Sequence, residues 1–485
     1  MMKLKIFNTL WREKQTFKPL DEKKWIWIYS CGPTVYSKPH IWNMRAYVFA
    51  HLLRNVLENI LWYKVTHVVN ITDVGHLTDD ADSGEDKLEK ASKQENKTAW
   101  DIAREYENIF FNYLKKLNLK FDIFPRATEH IPEQIQMVKT LEEKGYTYKI
   151  PEDGIYMDTS KVPDYGKLLP EGHLEGILAC ARVKNDKKKN KTDFSLWKFS
   201  PKDKKRQMEW ESPWWVGFPG WHIECSAMSS KYLWEQFDIH TWWVDHIPVH
   251  HTNEIAQSEC AFWHEWVPYW LHNQFLNLKN GKMSKSLGNI ITLDDIEAKW
   301  INPLAFKYFL YLAHYRSIQD FSWEDLQSAE KAYNKLKKKL QDLAKKYPIN
   351  SELNPEILRK IYENKEIWWE LIDYLLDDLD TVKVIAEINK YINEIRWESQ
   401  MKPDEIKKLL SLIKYLDDKV LKLDLFKEEQ KQIEIPQDIK ELAEKRWEAK
   451  LKKDFSTADN LRDEILQKGY KILDKKDWYE ILPAK

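Results

Sequence analysis

Apolar and polar residues alternate from Trp25 to Ser30, with Ile26 and Ile28 on one face, and the run stops at Gly32-Pro33. A period of two predicts a half-buried strand, and Gly-Pro marks its end. A helical pattern follows, Ala46-Tyr47-Val48-Phe49-Ala50-His51-Leu52-Leu53, and then a second strand-like run from Lys64 to Asn70. Strand-like and helix-like segments alternate in this way to about residue 270. That rhythm predicts an α/β fold built on a doubly wound parallel sheet. From about 120 to 210 it fails: Pro, Asp and Gly punctuate a polar stretch that carries the lysine run Lys184 to Lys191 before Asp193-Phe194-Ser195-Leu196-Trp197-Lys198. An insertion between the halves of the sheet is expected there, with the lysines in a solvated loop. After Phe321-Ser322-Trp323 the period becomes helical, as in Ala332 to Leu343, and a mostly α-helical C-terminal region is expected.

Length and composition narrow this picture only a little. A chain of 485 residues holds two to four domains and ample core. Its net charge of −1 hides any local basic patch and neither supports nor opposes RNA binding. The four cysteines, Cys31, Cys180, Cys225 and Cys260, are widely spaced, and no secretory or membrane-spanning segment is evident. A reducing cytoplasm is expected rather than a disulfide scaffold.

Two segments carry chemistry. In Cys31-Gly32-Pro33-Thr34-Val35-Tyr36 and His40-Ile41-Trp42-Asn43, a histidine stands where a strand gives way to a helix, and free N–H groups at a helix start gather anions. In Lys282-Met283-Ser284-Lys285-Ser286, two lysines flank small hydroxyl residues after Asn280-Gly281, so a basic loop can close on a triphosphate. Neither a phosphate loop ending in Gly-Lys-Ser/Thr nor a Gly-rich dinucleotide fingerprint is present, which argues against a kinase or a dehydrogenase. A third group is Trp221-His222-Ile223-Glu224-Cys225 with Val249-His250-His251-Thr252-Asn253-Glu254. His250 and Glu254 are spaced i, i+4 on one helical face, and a thiolate, an imidazole and a carboxylate are ligand types that Zn²⁺ accepts. Without paired Cys-x-x-Cys or His-Glu-x-x-His, the same residues also read as a buried free thiol and a pair of capping histidines.

Taken together, the His-Ile and Lys-Met-Ser-Lys-Ser segments resemble the HIGH and KMSKS pair of class I aminoacyl-tRNA synthetases. Cys31-Gly-Pro-Thr-Val-Tyr36, Pro219-Gly-Trp-His-Ile-Glu-Cys-Ser-Ala-Met228, His250-His251 and Asn253-Glu254-Ile-Ala-Gln-Ser-Glu259 extend the resemblance to cysteinyl-tRNA synthetase over nearly the whole chain. The resemblance implies a Rossmann-like catalytic domain over 1–120 and 211–280, an insertion (connective peptide) domain over 121–210, and the KMSKS loop and stem-contact region over 281–325. It further implies an anticodon-binding helical bundle over 326–430 and a small C-terminal domain over 431–485. The implied zinc ligands are Cys31, Cys225, His250 and Glu254, one ion per chain. Thr34, His40 and Asn43 would hold ATP phosphates, with Lys282 and Lys285 acting in the adenylation step and Mg²⁺ accompanying the nucleotide. Thr72, Trp221, His240 and Asp245 would shape the cysteine pocket, Asp245 facing the ammonium. The implied partners are tRNA(Cys), L-cysteine and ATP, with no membrane and a monomeric chain. Two departures stand out: Thr252 follows His251 where many relatives have Glu, and Asp73 to Asp80 lacks an acidic-acidic-Lys run.

The chain has 24 Trp and only 13 Gly, whereas about 7% Gly, roughly 34 residues, is usual. Trp42, Trp242 and Trp243 stand where the family has glycine around the nucleotide, and Trp11, Trp62, Trp215, Trp234 and Trp263 also fall at family glycines. Trp197, Trp214, Trp221 and Trp323 match family tryptophans. Glycine beside a nucleotide lets the ligand approach the backbone, and an indole there fills the adenine's volume. Many of these tryptophans are therefore expected to be glycines in the cell, encoded by UGA codons that the source organism reads as Gly. If they are genuine, a catalytically inactive tRNA-binding paralogue is the alternative. A cysteine:amino-sugar ligase is a further one, set back by the long helical region after Ser322.

Overall fold

In the computed structural model the chain is described at residues 2–21, 25–75, 77–79, 83–170, 187–203, 205–279, 290–349, 353–366, 368–398, 401–428, 436–452, 454–474 and 479–483. It forms two compact units, Met1–Phe426 and Lys427–Lys485.

The core of the first unit is a four-stranded sheet in the order Tyr269–Asn273, Ile239–Trp243, Trp25–Ser30, Lys64–Val69, with every neighbouring pair parallel. Ile26 and Ile28 are buried as their alternation predicts, and the strand's last residues, Tyr29 and Ser30, are buried as well. Burial on both faces is the mark of a parallel sheet covered by helices. Outside the named strands, Val68 bridges Ile123 and Ile71 bridges Arg126 in parallel, which extends the sheet beyond Lys64–Val69.

The helix Ile41–Asn59 is enclosed on nearly every side, with Met44, Tyr47, Phe49, Leu53 and Leu57 buried together with Arg45, His51, Arg54 and Asn55. A buried polar group is tolerable only when hydrogen-bonded. Arg45 therefore donates to the carbonyls of Phe275 and Ser317, the latter at 2.7 Å. Arg54 reaches Asp122 at 2.9 Å, and the Asn55 amide reaches the Val420 carbonyl at 2.9 Å. These contacts lash the helix to segments far along the chain.

The expected insertion contains a four-stranded antiparallel sheet ordered Gly217–Pro219, Phe194–Phe199, Gly154–Met157, Thr147–Ile150. The strand Gly217–Pro219 lies beyond residue 210. The region after Ser322 is helical as the apolar period predicts: Trp323–Lys346, Pro355–Glu363, Glu370–Leu376, Thr381–Glu398 and Pro403–Tyr415. The second unit departs from all-helical character. Its helices Gln437–Leu451 and Phe455–Gln467 pack with an antiparallel hairpin, Tyr470–Asp474 and Tyr479–Pro483, around Ile439, Ala443, Ile465 and Ile472. Gly469 at φ 86° turns the chain from helix into strand, a conformation glycine adopts without strain.

One buried carboxylate joins three parts of the first unit. Asp378, in the turn before Thr381–Glu398, accepts from the Phe7 amide at 3.0 Å, the Tyr315 hydroxyl at 2.6 Å and the Arg316 guanidinium at 2.7 Å. Removing it leaves those donors unsatisfied. Asp378→Ala is expected to cost about 3 kcal/mol of stability, read as a fall in the urea midpoint. An unchanged midpoint would show that the junction tolerates an unpaired Arg316.

Candidate active site and metal centre

The candidate residues collect at the carboxyl ends of adjacent parallel strands, the place where open α/β sheets bind ligands. Cys31 directly follows Trp25–Ser30, Asn70 and Thr72 follow Lys64–Val69, and Trp242 and Trp243 end their own strand. Gly32 makes this convergence possible. A Cβ there would lie 1.4 Å from the Asn70 carbonyl oxygen, and the Gly32 amide donates to the Asn70 side chain at 2.7 Å. The two strand exits stay together onward, with the Thr72 amide donating to the Pro33 carbonyl at 3.0 Å.

Cys225 sits in the first turns of the helix Ile223–Leu233, and His250 closes a π-helical turn, Ile247–His251, that runs into the helix Thr252–Phe262. Cys31, Cys225, His250 and Glu254 each present one ligand atom, all within 4.8 Å of one another, and all four residues are buried. A second grouping, Cys31, His240, His251 and Glu254, meets the same condition. The i, i+4 spacing delivers what the sequence implies, placing His250 Nε2 2.8 Å from Glu254 Oε1. The other carboxylate oxygen lies 2.9 Å from His240 Nε2. Around them, His222 Nδ1 is 2.9 Å from His250 Nδ1, and a chain runs from Cys31 through His251 and His272 to the Thr9 hydroxyl, with 2.7 Å between the two imidazoles.

Burial sets the electrostatics. It works against ionisation of Glu254, yet His250 and His240 hold the carboxyl well below its ordinary range. Burial also opposes protonation of His250, but Glu254 and Cys31 push its pKa up to about 10. The Cys31 thiol is likewise penalised by burial, and the Cys225 thiol donating to it, with His251 beside it, brings it well below the usual thiol range. Burial and the adjacent Cys31 raise Cys225 in turn. The shifts favour negative charge on Glu254 and Cys31 and protons on His250 and Cys225. A cation bound by these atoms displaces protons of that kind.

The start of the helix Ile41–Asn59 adjoins this centre. Residue His40 caps Ile41–Asn59: its Nδ1 accepts from the Asn43 amide at 3.3 Å, and the Asn43 side chain accepts from the His40 amide at 3.1 Å. Thr34, His40, Asn43, Thr72 and Trp221 line one cavity of about 180 Å³ together with Cys31, Cys225 and His250. Lys282 and Lys285 lie outside the described residues. The Thr72 hydroxyl donates to Glu224 at 3.0 Å, and the Trp221 ring packs on His250 with centroids 4.2 Å apart. His240 lies beneath the centre, stacked on Trp270 at 4.6 Å. Asp245 is not brought to the cavity wall; it sits in the turn Val244–His246 and is exposed. Sequence reasoning passed over Gly32, Asn70, Glu224, His222 and His272. Gly32, His222 and Glu224 stood inside quoted motifs; Asn70 and His272 are assembled by sheet register.

The match to known proteins follows the geometry. The description "tRNA synthetases class I (C) catalytic domain" fits residues 16–331. Methionyl-tRNA synthetase of Mycobacterium tuberculosis, solved with methionyl-adenylate, superposes with a TM-score of 0.53 at 14% identity, over 82% of this chain and 90% of that one. The parallel sheet, its strand-end crevice and these matches define a class I aminoacyl-tRNA synthetase. Among curated relatives, cysteine–tRNA ligase of Treponema denticola is 41% identical over 98% of both chains. Cysteine–tRNA ligase 1 of Burkholderia lata is 41% identical over 98% of this chain and 95% of its own. The chain belongs to the cysteine–tRNA ligase family.

Beside the cavity, Asp73 accepts from the Thr128 amide at 2.9 Å and from its hydroxyl at 2.5 Å, but burial dominates and raises its pKa to about 6. A folded pKa above the unfolded 3.8 means that the stability the proton confers is complete below pH 3.8 and is lost as pH rises through 6. Asp73→Asn does not titrate. Between about pH 4.5 and about pH 7.5 its stability relative to the parent is expected to improve by about 2 kcal/mol, measured by urea unfolding at both pH values. A constant difference would place the carboxyl in an ordinary environment.

Proposed function

We propose that the chain activates L-cysteine with ATP, forming cysteinyl-adenylate and pyrophosphate, and transfers the cysteinyl group to the 3′ end of tRNA(Cys). The observation that carries this reading is the adjacency of the buried Cys31, Cys225, His250 and Glu254 set to the cavity wall of Thr34, His40 and Asn43. Two thiols, an imidazole and a carboxylate at mutual ligand spacing fit Zn²⁺. Bound there, the ion would act as a Lewis acid able to take a substrate thiolate as an added ligand.

The chain's own groups prepare that centre. His240 and His250 keep Glu254 ionised, His222 orients the His250 ring, and Trp221 closes the cavity over it. A serine hydroxyl is a far poorer ligand than a thiolate at neutral pH. A site built on one strong polar contact rejects the analogue lacking it by about 10⁴ or more, so the reading needs no editing step. At the other end of the cavity, the N-terminus of Ile41–Asn59, with His40 and Asn43, is suited to phosphate charge, and Lys282 and Lys285 would stabilise charge that develops during adenylation. Mg²⁺ would accompany the nucleotide. The helices of 326–430 and the unit beyond 430 are assigned to tRNA, in keeping with relatives that match over both. A reducing cytoplasm suits free Cys31, Cys225 and Cys260, and no described helix is long and apolar enough to cross a membrane. A monomer is the simplest assembly.

Elemental analysis of the purified chain is expected to give one zinc per molecule, and Cys225→Ala is expected to lose most of it. Pyrophosphate exchange, measured with glycine at positions 42, 242 and 243, should depend on cysteine and not on serine. Equal stimulation by serine would defeat the zinc-selection reading.

Lys285→Ala is expected to slow adenylation by about 10²-fold or more while leaving cysteine affinity nearly unchanged, since the charge acts on the transition state. Single-turnover kinetics separate the two effects, and unchanged turnover would make the lysine a bystander.

A further inference from the structure

Left-handed backbone is where a bulky L side chain fits worst. Yet among the described residues five of the 15 non-glycine residues at positive φ are tryptophan: Trp62, Trp234, Trp263, Trp300 and Trp368. Asn and Asp, the residues that tolerate this region, together also number five. Four of the positions, 62, 234, 263 and 300, lie at or just past helix C-termini, where glycine is ordinarily found, and Trp368 precedes the helix Glu370–Leu376. After Leu293–Ala298, Trp300 at φ 61° donates to the Glu297 carbonyl at 2.8 Å, and Ile301 donates to the Ile296 carbonyl at 3.3 Å. That pair of bonds is a Schellman motif with tryptophan at its glycine position. Trp263, at φ 63° and ψ 32°, ends Thr252–Phe262 in the same left-handed way. Trp234, at φ 70° and ψ 177°, lies in a region essentially reserved for glycine. Three of these indoles gain little in return, Trp300 being 94% exposed, Trp234 71% and Trp263 70%, whereas Trp62 and Trp368 pack against the core.

A second group shows the same mismatch without the backbone signature. Trp42, Trp242 and Trp243 pack on one another beside His40, with Trp42 and Trp243 centroids 6.0 Å apart. Their indole N–H groups are buried with no hydrogen-bond partner among the described residues, although an indole N–H in a core normally finds one. The cavity that Trp242 and Trp243 line, about 180 Å³, falls below the roughly 300 Å³ at which ligand pockets begin. By contrast, Trp197 and Trp270 are fully buried in extended strands and donate to the Trp215 and Val267 carbonyls at 3.2 and 3.0 Å.

We infer that the working polypeptide carries glycine at 62, 234, 263, 300 and 368 and at 42, 242 and 243, these eight codons being UGA read as glycine, while 197 and 270 are true tryptophans. Glycine at the first five relieves left-handed backbone. At the last three it opens the cavity for a nucleotide, and this part alone rests on the ligase reading.

Peptide sequencing by mass spectrometry of the protein from its source cells is expected to read Gly at the eight positions and Trp at 197 and 270; a position reading Trp overturns its assignment. In the full recombinant chain, Trp263→Gly and Trp300→Gly are each expected to raise Tm by roughly 1–3 °C, whereas Trp197→Gly lowers it. A lower Tm for both left-handed variants would overturn the helix-end argument. The combined Trp42→Gly, Trp242→Gly and Trp243→Gly chain is expected to bind ATP at least tenfold more tightly than the tryptophan form by calorimetry. Glycine in the source peptides with no gain in ATP affinity would overturn the nucleotide site and leave the recoding standing.

Discussion

Glu254 is fully buried, and an ionised carboxylate withdrawn from water costs several kcal/mol unless other charges and donors replace its hydration. Much of the active-site architecture follows from that requirement. His240 comes from a central strand and His250 from the turn before the carboxylate's own helix, while Cys31, at the exit of the neighbouring strand, opposes ionisation of Glu254 and raises the need for both imidazoles. Each must be within reach of one point, so the register of the parallel strands and the packing of Thr252–Phe262 on the sheet are coupled. A shift of one residue in either strand would turn His240 or the Cys31 approach to the opposite face. The same demand accounts for the histidines behind the first ring, because a buried imidazole also needs a partner for its second nitrogen.

The helix Ile41–Asn59 carries this centre into the remainder of the first unit. Its first turn borders the cavity through His40 and Asn43, and further along it Arg54 and Asn55 are tied to Asp122 and Val420. An enclosed helix with paired buried polar groups moves only with what it touches. Ligand contacts at its N-terminus are thus mechanically continuous with the packed helices that follow Ser322. Asp378 repeats the device elsewhere in the unit, where one carboxylate gathers Phe7 of the antiparallel pair Lys5–Asn8 and Glu13–Thr16, the 314–316 segment and the helical region.

Local and global preferences agree through most of the chain and part company at a set of tryptophans. The strand patterns, the caps at His40, Thr98, Thr292 and Ser322 and the apolar faces of the later helices all support one fold. Trp300 contradicts its own backbone, and Trp42 and Trp243 crowd His40 at the N-terminus of Ile41–Asn59. Since the fold is otherwise consistent, the conflict lies in the identity of those side chains rather than in the architecture.

The alternation at Trp25–Ser30 and Lys64–Val69, the helical period after Ser322, and the spacing of His250 and Glu254 were legible in the residues themselves, because strand and helix periods are local properties of the chain. The motif around Cys31 and Cys225 marked where chemistry would occur, and both thiols stand in the centre. The C-terminal hairpin was not legible, its short strands being set by packing on two helices. Nor was the role of Asn70 beside Gly32, or of His272 behind His251, since each depends on which strands lie side by side. Asp245, implied by the resemblance, is exposed in the turn after Trp243 and does not line the cavity. The sequence by itself determined the elements, the order of the layers and the residue types at the centre. Tertiary structure alone decided which strand ends meet, which histidines complete the buried charge, and which tryptophans stand on backbone that only glycine relieves, because those depend on contacts between residues far apart in the chain.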